Sequence, residues 1–247
     1  MSSFNPYQSP SPANASMYMR DVAANAAADV RLQFIRMTYL HLGLAVLAFI
    51  GIEFLLFMVF SAQLDAIVPM LLNGYAPLVF FGAFMVVSWV ADSWAQRSTN
   101  RTTQYAALAV YVLAEAIFFV PLLYIADRFF PGAIQTAGIV TGIIFAGLTA
   151  GVFITRVDFS FLRMYLMLGS LAAFAVIIAG LFMGGITGGV VFPGLMIMLA
   201  SGYILYDTSR VMQHYHTSQY VAASLALFAS VALLFWYVLR LVMAMRR

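Results

Sequence analysis

The sequence contains no cysteine and no lysine, and it has few charges of either sign. Without cysteine the chain has no disulfide, thiol nucleophile or thiolate metal ligand. Without lysine it can form neither a Schiff base nor a P-loop. Charged residues make up 9% of the chain, against roughly a quarter in a soluble domain. The twelve basic residues, all arginine, are scattered and form no basic stripe of the kind that binds nucleic acid.

Apolar residues dominate what remains. They make up 64% of the chain, and the mean hydropathy is +0.96, so polar surface is too scarce to coat a water-soluble globule. Seven apolar runs are each about long enough to cross a bilayer: residues 34–60, 75–94, 105–126, 133–154, 162–183, 190–207 and 221–243. The pattern predicts an all-α membrane protein, a bundle of seven transmembrane helices that contacts the lipid bilayer.

The first thirty residues lack an apolar core. Residues 1–30 are therefore predicted to form a polar tail that is disordered at its start, with a short amphipathic helix from Asp21. Residues 31–247 form one transmembrane domain, because no linker long enough to separate two domains interrupts them.

Arginine positions orient the bundle. The tail, the entry to span 1 and loops 2–3, 4–5 and 6–7 carry eight arginines, whereas loops 1–2, 3–4 and 5–6 carry only Arg128. The positive-inside rule therefore predicts a cytoplasmic amino terminus. Seven crossings would place Arg240, Arg246 and Arg247 outside, against that rule. Either span 7 does not fully cross, or neighbouring helices carry it across.

Span 4 contains a ladder of small residues: Gly138, Gly142, Ala146, Ala150 and Gly151. Such ladders allow close helix packing in membranes. Packing is the favoured interpretation, and the lining of a narrow pore is the alternative.

Four carboxylates lie in or against the predicted spans: Glu53, Asp92, Glu115 and Asp207. A charge at the centre of a span costs roughly 2.5–3.5 kcal/mol on insertion scales, so Glu53 and Glu115 are predicted to face the bundle interior. Each could be a functional acid or only a hydrogen-bonded core acid. Asp92, beside Trp94 and near Arg97, is interpreted as interfacial and solvated.

No arrangement in the sequence predicts an enzyme. His214 and His216 form an H-x-H pair that offers too few ligands for a metal site, and a wetted surface pair is the simpler interpretation. His41 is the one histidine close to membrane depth, and no serine partner is evident. Protease and zincin motifs are absent.

The most informative stretch is residues 202–210, at the end of span 6. In a helix, Tyr203, Tyr206, Asp207 and Arg210 fall on one face. An acidic residue at such a place is a functional-site hypothesis by default.

Four stretches, in this order and spacing, resemble the Bax inhibitor-1 family of membrane proteins, which includes bacterial members. They are residues 34–40 (FIRMTYL), 155–162 (TRVDFSFL), 202–207 (GYILYD) and 223–228 (ASLALF). Within the second stretch, Asp158 or Ser160 could also cap the next helix. The resemblance covers about residues 30–243. It implies a seven-helix bundle with the last helix near the centre, a bacterial-type inner membrane, and a pH-sensitive calcium leak gated by two aspartates that share a proton.

The sequence departs from that family pattern at the gate. Asp207 matches the first aspartate, but Ser230 stands where the second is expected and Leu233 where an asparagine is expected. Arg210 replaces a common glutamine, and Arg97 corresponds to a basic residue that the family can pair with its acidic site.

Two close carboxylates cannot both ionise cheaply, so such a pair acts as a pH switch. A lone Asp207 lacks this partner. We hypothesise that the proton-sharing gate is absent and that Asp207 forms a static ion pair with Arg210 or Arg97. Alternatively, Glu53 or Glu115 serves as the second carboxylate.

The resemblance thus implies a cation leak or channel, with calcium as the transported ion and a transient ligand of Asp207, and with no resident cofactor. The alternative is a non-conducting membrane regulator that binds a membrane protease or a stress-response partner, as bacterial members of the resembled family have been tied to protease regulation.

Overall fold

The structure, a computed structural model, describes residues 22–98, 100–183 and 189–246. Within these ranges the chain forms seven α-helices and no strand. The helices are α1 (Ala28–Leu71), α2 (Ala76–Arg97), α3 (Arg101–Phe129), α4 (Ala133–Thr155), α5 (Leu162–Met183), α6 (Val191–Gln213) and α7 (Tyr220–Met245). All seven are long and apolar enough to cross a membrane. The predicted all-α, seven-helix architecture is confirmed, and the chain is an integral multi-pass membrane protein.

Short loops alternate the helix directions. We call the end where α1 begins and α6 ends the amino end of the bundle, and the end where α1 ends and α6 begins the opposite end. The polar tail up to Asp21, the glycine-rich turn at 184–188 and Arg247 lie outside the described residues. The predicted short helix from Asp21 is wrong over residues 22–27, where the chain forms turns.

The amino-terminal segment joins the bundle earlier than predicted. The backbone N–H of Ala23 donates to the carbonyl of Tyr215 at 2.9 Å, and Ala23 is fully buried. The first helix then begins at Ala28. Residues 22–27 therefore belong with the folded domain, against the boundary at residue 30 that composition predicts.

The first helix also runs beyond its predicted end at Phe60. Phe60 has non-helical backbone angles (φ −112°, ψ 19°), which mark a kink, and the chain continues as helix to Leu71. After the kink, Leu64 and Val68 lie at i and i+4 and pack with Val120 of α3. This apolar pair on one face explains why the helix continues.

Helix α6 ends later than hydropathy predicts, and this places Asp207 within the helix. The helix continues to Gln213, six residues beyond the end that hydropathy predicts, which is roughly 9 Å. Asp207 therefore lies more than a turn and a half inside the helix rather than at its terminus.

The last helix crosses the whole bundle at its centre. α7 packs against α1, α2, α3, α4 and α6, and its buried residues include Leu227, Leu234 and Leu239. At the opposite end, Arg246 donates to the carbonyl of Pro131 at 2.5 Å and to Thr136 Oγ1 at 3.2 Å. Of the two alternatives for span 7, the structure supports a complete crossing held in place by its neighbours.

The small-residue ladder of α4 faces outward. Gly138, Gly142, Ala146 and Ala150 are exposed or half-buried, and a Cβ built on Gly138, Gly142 or Gly151 would meet no atom within 4 Å. The ladder therefore serves neither close packing within this chain nor the lining of its cavity. Its outer face meets the surrounding membrane.

Candidate functional site

The buried carboxylate of Asp207 is held by a hydroxyl of the neighbouring helix. Asp207 on α6 and Ser230 on α7 are 6% and 4% exposed. Ser230 Oγ donates to Asp207 Oδ2 at 2.5 Å. No other pair of helices packs as extensively as α6 and α7, so this bond joins the two most intimately associated helices. A hydroxyl thus occupies the position where a second carboxylate would complete an acidic pair.

Arg210 is close to Asp207, although its firmest contacts are aromatic. Its Nη1 atom lies 4.0 Å from Asp207 Oδ1, which is long for an ion pair. Its guanidinium carbon lies 4.7 Å from the ring centre of Tyr215 and 5.5 Å from that of Tyr206. Two cation–π contacts therefore fix the guanidinium, and the ion pair is long.

Arg97 is placed elsewhere. It lines a small surface recess together with Trp89 and Trp94, and within the described ranges Asp207 is paired with Arg210 alone. The sequence predicted an ion pair of Asp207 with either Arg210 or Arg97, and among the described residues the structure shows only the pair with Arg210.

Asp207, Ser230 and Arg210 line a cavity of about 940 Å³. Its wall extends along α2 from Pro77 to Gln96, which at 1.5 Å per residue is roughly 28 Å, close to the thickness of a bilayer's hydrocarbon core. Residues of α2, α3, α5, α6 and α7 form most of the lining. The site is therefore one part of a cavity that runs through most of the bundle.

Two further carboxylates line the same cavity. Glu115 of α3 is 5% exposed and faces it at mid-depth. Asp92 of α2 lines it near the amino end, with its side chain exposed. The Gln96 amide donates to Asp92 Oδ1 at 3.4 Å and to the Tyr215 hydroxyl at 3.0 Å. The interpretation of Asp92 as merely interfacial missed this, because the one-dimensional pattern does not show which face of α2 meets the cavity.

Glu53 is separate from this group. It is 6% exposed, it does not line the cavity, and neither carboxyl oxygen has a hydrogen-bond partner among the described residues. Of the two glutamates considered as a second carboxylate, Glu115 shares the cavity with Asp207 and Glu53 does not.

Toward the opposite end, stacked aromatic rings line the cavity. The ring centres of Phe84 and Phe118 are 4.1 Å apart, and those of Phe118 and Trp236 are 4.7 Å apart. Phe119 meets Trp236 edge-on at 4.9 Å. The cavity thus has a polar part at the amino end and an aromatic part beyond it. Sequence reasoning missed the aromatic part, because its members come from three helices.

A polar cluster at the amino end connects the loop before α5 to the end of α6. Asp158 Oδ2 lies 3.0 Å from His214 Nε2, and Asp158 Oδ1 accepts from the Ser160 hydroxyl at 2.6 Å and from its backbone N–H at 2.9 Å. Asp158 therefore closes a turn before α5 and pairs with His214. The same arrangement shows that His214 is not simply a wetted surface residue. The Ser160 hydrogen bonds, followed by contact with His214, hold the pKa of Asp158 below its usual value.

Replacement of Asp158 by asparagine is expected to lower stability by no more than about 1 kcal/mol, because surface ion pairs contribute little and both side chains of this pair are more than 40% exposed. Since the folded pKa is the lower one, the contribution is present above the unfolded pKa of about 3.9 and is lost as pH falls through the folded pKa. Thermal unfolding in detergent should therefore show the wild type and Asp158→Asn converging below about pH 4. Exposed Asp127 supplies the control variant, Asp127→Asn. A gap between Asp158→Asn and wild type that remains undiminished well below pH 4 would contradict the assignment.

Among the described residues, no three His, Asp or Glu side chains cluster closely enough to hold a metal ion. Asp207, Glu115 and Asp92 are therefore successive acidic positions along one cavity rather than a single chelating site.

Seven membrane-spanning helices, with α7 at the centre and an acidic residue in the last two turns of α6 that faces a deep cavity, define a polytopic membrane protein built around a polar interior. The family model described as "Inhibitor of apoptosis-promoting Bax1" matches residues 31–247. The chain therefore belongs to the Bax inhibitor-1 family, as the sequence motifs predicted.

An uncharacterized membrane protein of Vibrio cholerae is 30% identical over 95 residues, which are 38% of this chain and 42% of that protein. The match thus spans less than half of that relative's length. No solved structure matches the chain.

Proposed function

We propose that the protein is a cation leak, with calcium as the transported ion, and that its gate differs from the two-aspartate switch that the family resemblance implies. The proposal rests on the cavity, which is roughly 28 Å long and carries Asp92, Asp207 and Glu115 in succession from its amino end. Acidic side chains along a water-filled path attract cations, and an apolar constriction can close such a path by dewetting. In this proposal the stacked rings of Phe84, Phe118 and Trp236, which line the cavity, supply the constriction.

In this proposal Asp207 binds a passing calcium ion transiently and no resident cofactor or catalytic activity is required. Ser230 donates a hydrogen bond to Asp207 but carries no proton that titrates in the physiological range. We therefore expect calcium flux to vary little between about pH 6 and pH 8.

The test is calcium flux into liposomes that contain the purified protein. Asp207→Asn should lower the flux severalfold, because it removes the buried carboxylate while preserving shape. Asp65→Asn is the matched control, since Asp65 pairs with Arg128 at the exposed opposite end, away from the cavity lining. Equal flux in wild type, both variants and protein-free liposomes would contradict conduction and favour the non-conducting regulator. The outward ladder on α4 offers such a regulator a helix-packing face.

We further propose that the amino end faces the cytoplasm of a bacterial-type inner membrane, as the arginine asymmetry predicts. The absence of cysteine makes this simple to measure. Asn73→Cys, in the α1–α2 loop, should react with an impermeant maleimide in intact cells. Thr102→Cys, at the start of α3, should react only after permeabilisation. The reverse labelling pattern would show that the amino end faces away from the cytoplasm, and it would contradict the proposed orientation.

A further inference from the structure

The cavity combines two features that a simple ion path does not need: a thinly packed side wall and a long apolar section. α2 packs chiefly against α3, and α5 packs chiefly against α6. Between α2 and α5 the ring pair Phe81–Phe174 makes contact at 6.3 Å between ring centres, and Phe174 is 38% exposed. Both helices nevertheless line the cavity. Few contacts other than this ring pair therefore close the gap between α2 and α5, which is the most thinly packed part of the cavity wall.

At the amino end the cavity presents the exposed carboxylate of Asp92 and the guanidinium of Arg210, with the buried carboxylate of Asp207 behind them. Asp92 is exposed there, and it interacts electrostatically with Arg210. Arg210 makes a 4.0 Å contact with Asp207 and two ring contacts, and among the described residues its guanidinium makes no hydrogen bond. A guanidinium has five N–H donors that suit a phosphate. Opposite charges on two helices thus remain available to a zwitterionic ligand.

The depth of these groups matches one leaflet. Asp92 and Arg210 lie five and three residues from the ends of α2 and α6, within roughly 8 Å of the amino end of the bundle. From Asp92 to Phe81 the wall rises eleven residues, roughly 16 Å. That distance is about half of the hydrocarbon core of roughly 30 Å, the depth of one layer of acyl chains. Phe84, Phe118 and Trp236 line this stretch.

We propose that the cavity binds one phospholipid with a phosphoethanolamine headgroup, taken from the leaflet at the amino end through the gap between α2 and α5. The ammonium lies against Asp92, the phosphate accepts from Arg210, and one acyl chain runs along the aromatic rings. An anionic lipid would satisfy Arg210 but bring its charge toward Asp92 and Asp207. This site goes beyond the proposed leak and does not require that the protein conducts ions.

Native mass spectrometry of the purified protein tests the site, with dioleoyl phosphatidylethanolamine and dioleoyl phosphatidylglycerol added in parallel. One molecule of the ethanolamine lipid should remain bound. Ile177→Trp, which places a bulky ring into the cavity lining, should weaken its retention about tenfold or more. Leu171→Trp, on the same helix but 65% exposed, should retain it. Equal retention of the two lipids by wild type, or equal loss in the two tryptophan variants, would overturn the proposal.

A separate variant tests whether Asp92 recognises the ethanolamine headgroup. Asp92→Asn should bring retention of the ethanolamine lipid down to that of the glycerol lipid, about tenfold, because one charge-assisted hydrogen bond is lost. Asp29→Asn removes an exposed carboxylate in the first turn of α1, at the same end of the bundle, and should leave the preference intact. An unchanged preference in Asp92→Asn would overturn the assignment of the headgroup.

A second measurement does not depend on folding of the cavity variants. Trp236 lines the cavity, and the chain has only two other tryptophans, Trp89 and Trp94. Both are exposed on α2, so Trp89→Phe with Trp94→Phe leaves Trp236 as the single tryptophan. Ethanolamine lipid with brominated acyl chains, at low mole fraction in phosphatidylglycerol vesicles, should quench Trp236 more strongly than brominated phosphatidylglycerol at the same fraction. Equal quenching by the two lipids would mean that only bulk bilayer reaches Trp236, and it would overturn the proposal.

Discussion

Calcium flux through Ser230→Asp is expected to differ about tenfold between pH 6 and pH 8, whereas wild-type flux should stay nearly flat. The new carboxylate would lie against Asp207, because Ser230 Oγ is 2.5 Å from Asp207 Oδ2. Two carboxylates this close hold one proton between them, and they repel each other once it is lost. Repulsion would push α6 from α7 beside the cavity. Flux should therefore be higher at pH 8 than at pH 6.

Two controls separate a gate from a packing defect. Ser230→Ala removes the hydrogen bond without adding a titratable group, so it should alter the level of flux but not its pH response. Ser230→Asn places an amide of nearly the same size as the new carboxylate beside Asp207 and should also remain insensitive to pH. A wild-type leak that already changes strongly between pH 6 and pH 8, or a flat response in Ser230→Asp, would refute the idea that Ser230 replaces the switch.

Gly202→Val is expected to destabilise the protein by roughly 1–3 kcal/mol, the usual cost of overpacking. A Cβ at Gly202 would come within 2.8 Å of Leu166 Cδ2, and a Cβ at Gly169 would come within 2.8 Å of Leu199 Cδ1. These two glycines therefore let α5 and α6 approach closely at two points. Leu166 is 5% exposed, so its side chain has little room to move aside. Thermal unfolding in detergent measures the loss.

Gly138→Val is the matched control, since a Cβ there meets no atom within 4 Å. It should be neutral within about 0.5 kcal/mol, as surface substitutions usually are. If Gly138→Val destabilises the protein as much as Gly202→Val, the cost does not come from contact between α5 and α6, and the close approach at Gly202 is not what stabilises this pair of helices.

Much of the site could be predicted from the sequence, since helix periodicity alone places Asp207, Arg210 and Tyr206 on one face. The position of the partner of Asp207 was implied by the family resemblance, and the 2.5 Å hydrogen bond shows Ser230 at that position. The long ion pair of Arg210 could not be foreseen. Its guanidinium is held by Tyr206 and Tyr215, and Tyr215 follows the end of α6 in the loop to α7.

By itself the sequence determined the class of the protein, its family and its seven helices, because lipid favours long apolar runs and penalises every unpaired backbone group. Rotation of each helix about its axis was decided only by tertiary packing. That rotation turned Asp92 and Glu115 into the cavity of Asp207, left Glu53 outside it, and aimed the α4 ladder at the membrane. A one-sided apolar pattern reveals the rotation of a helix in a soluble protein, but it fades when both the lipid and the core are apolar. Contacts among α2, α3, α6 and α7 therefore define the site.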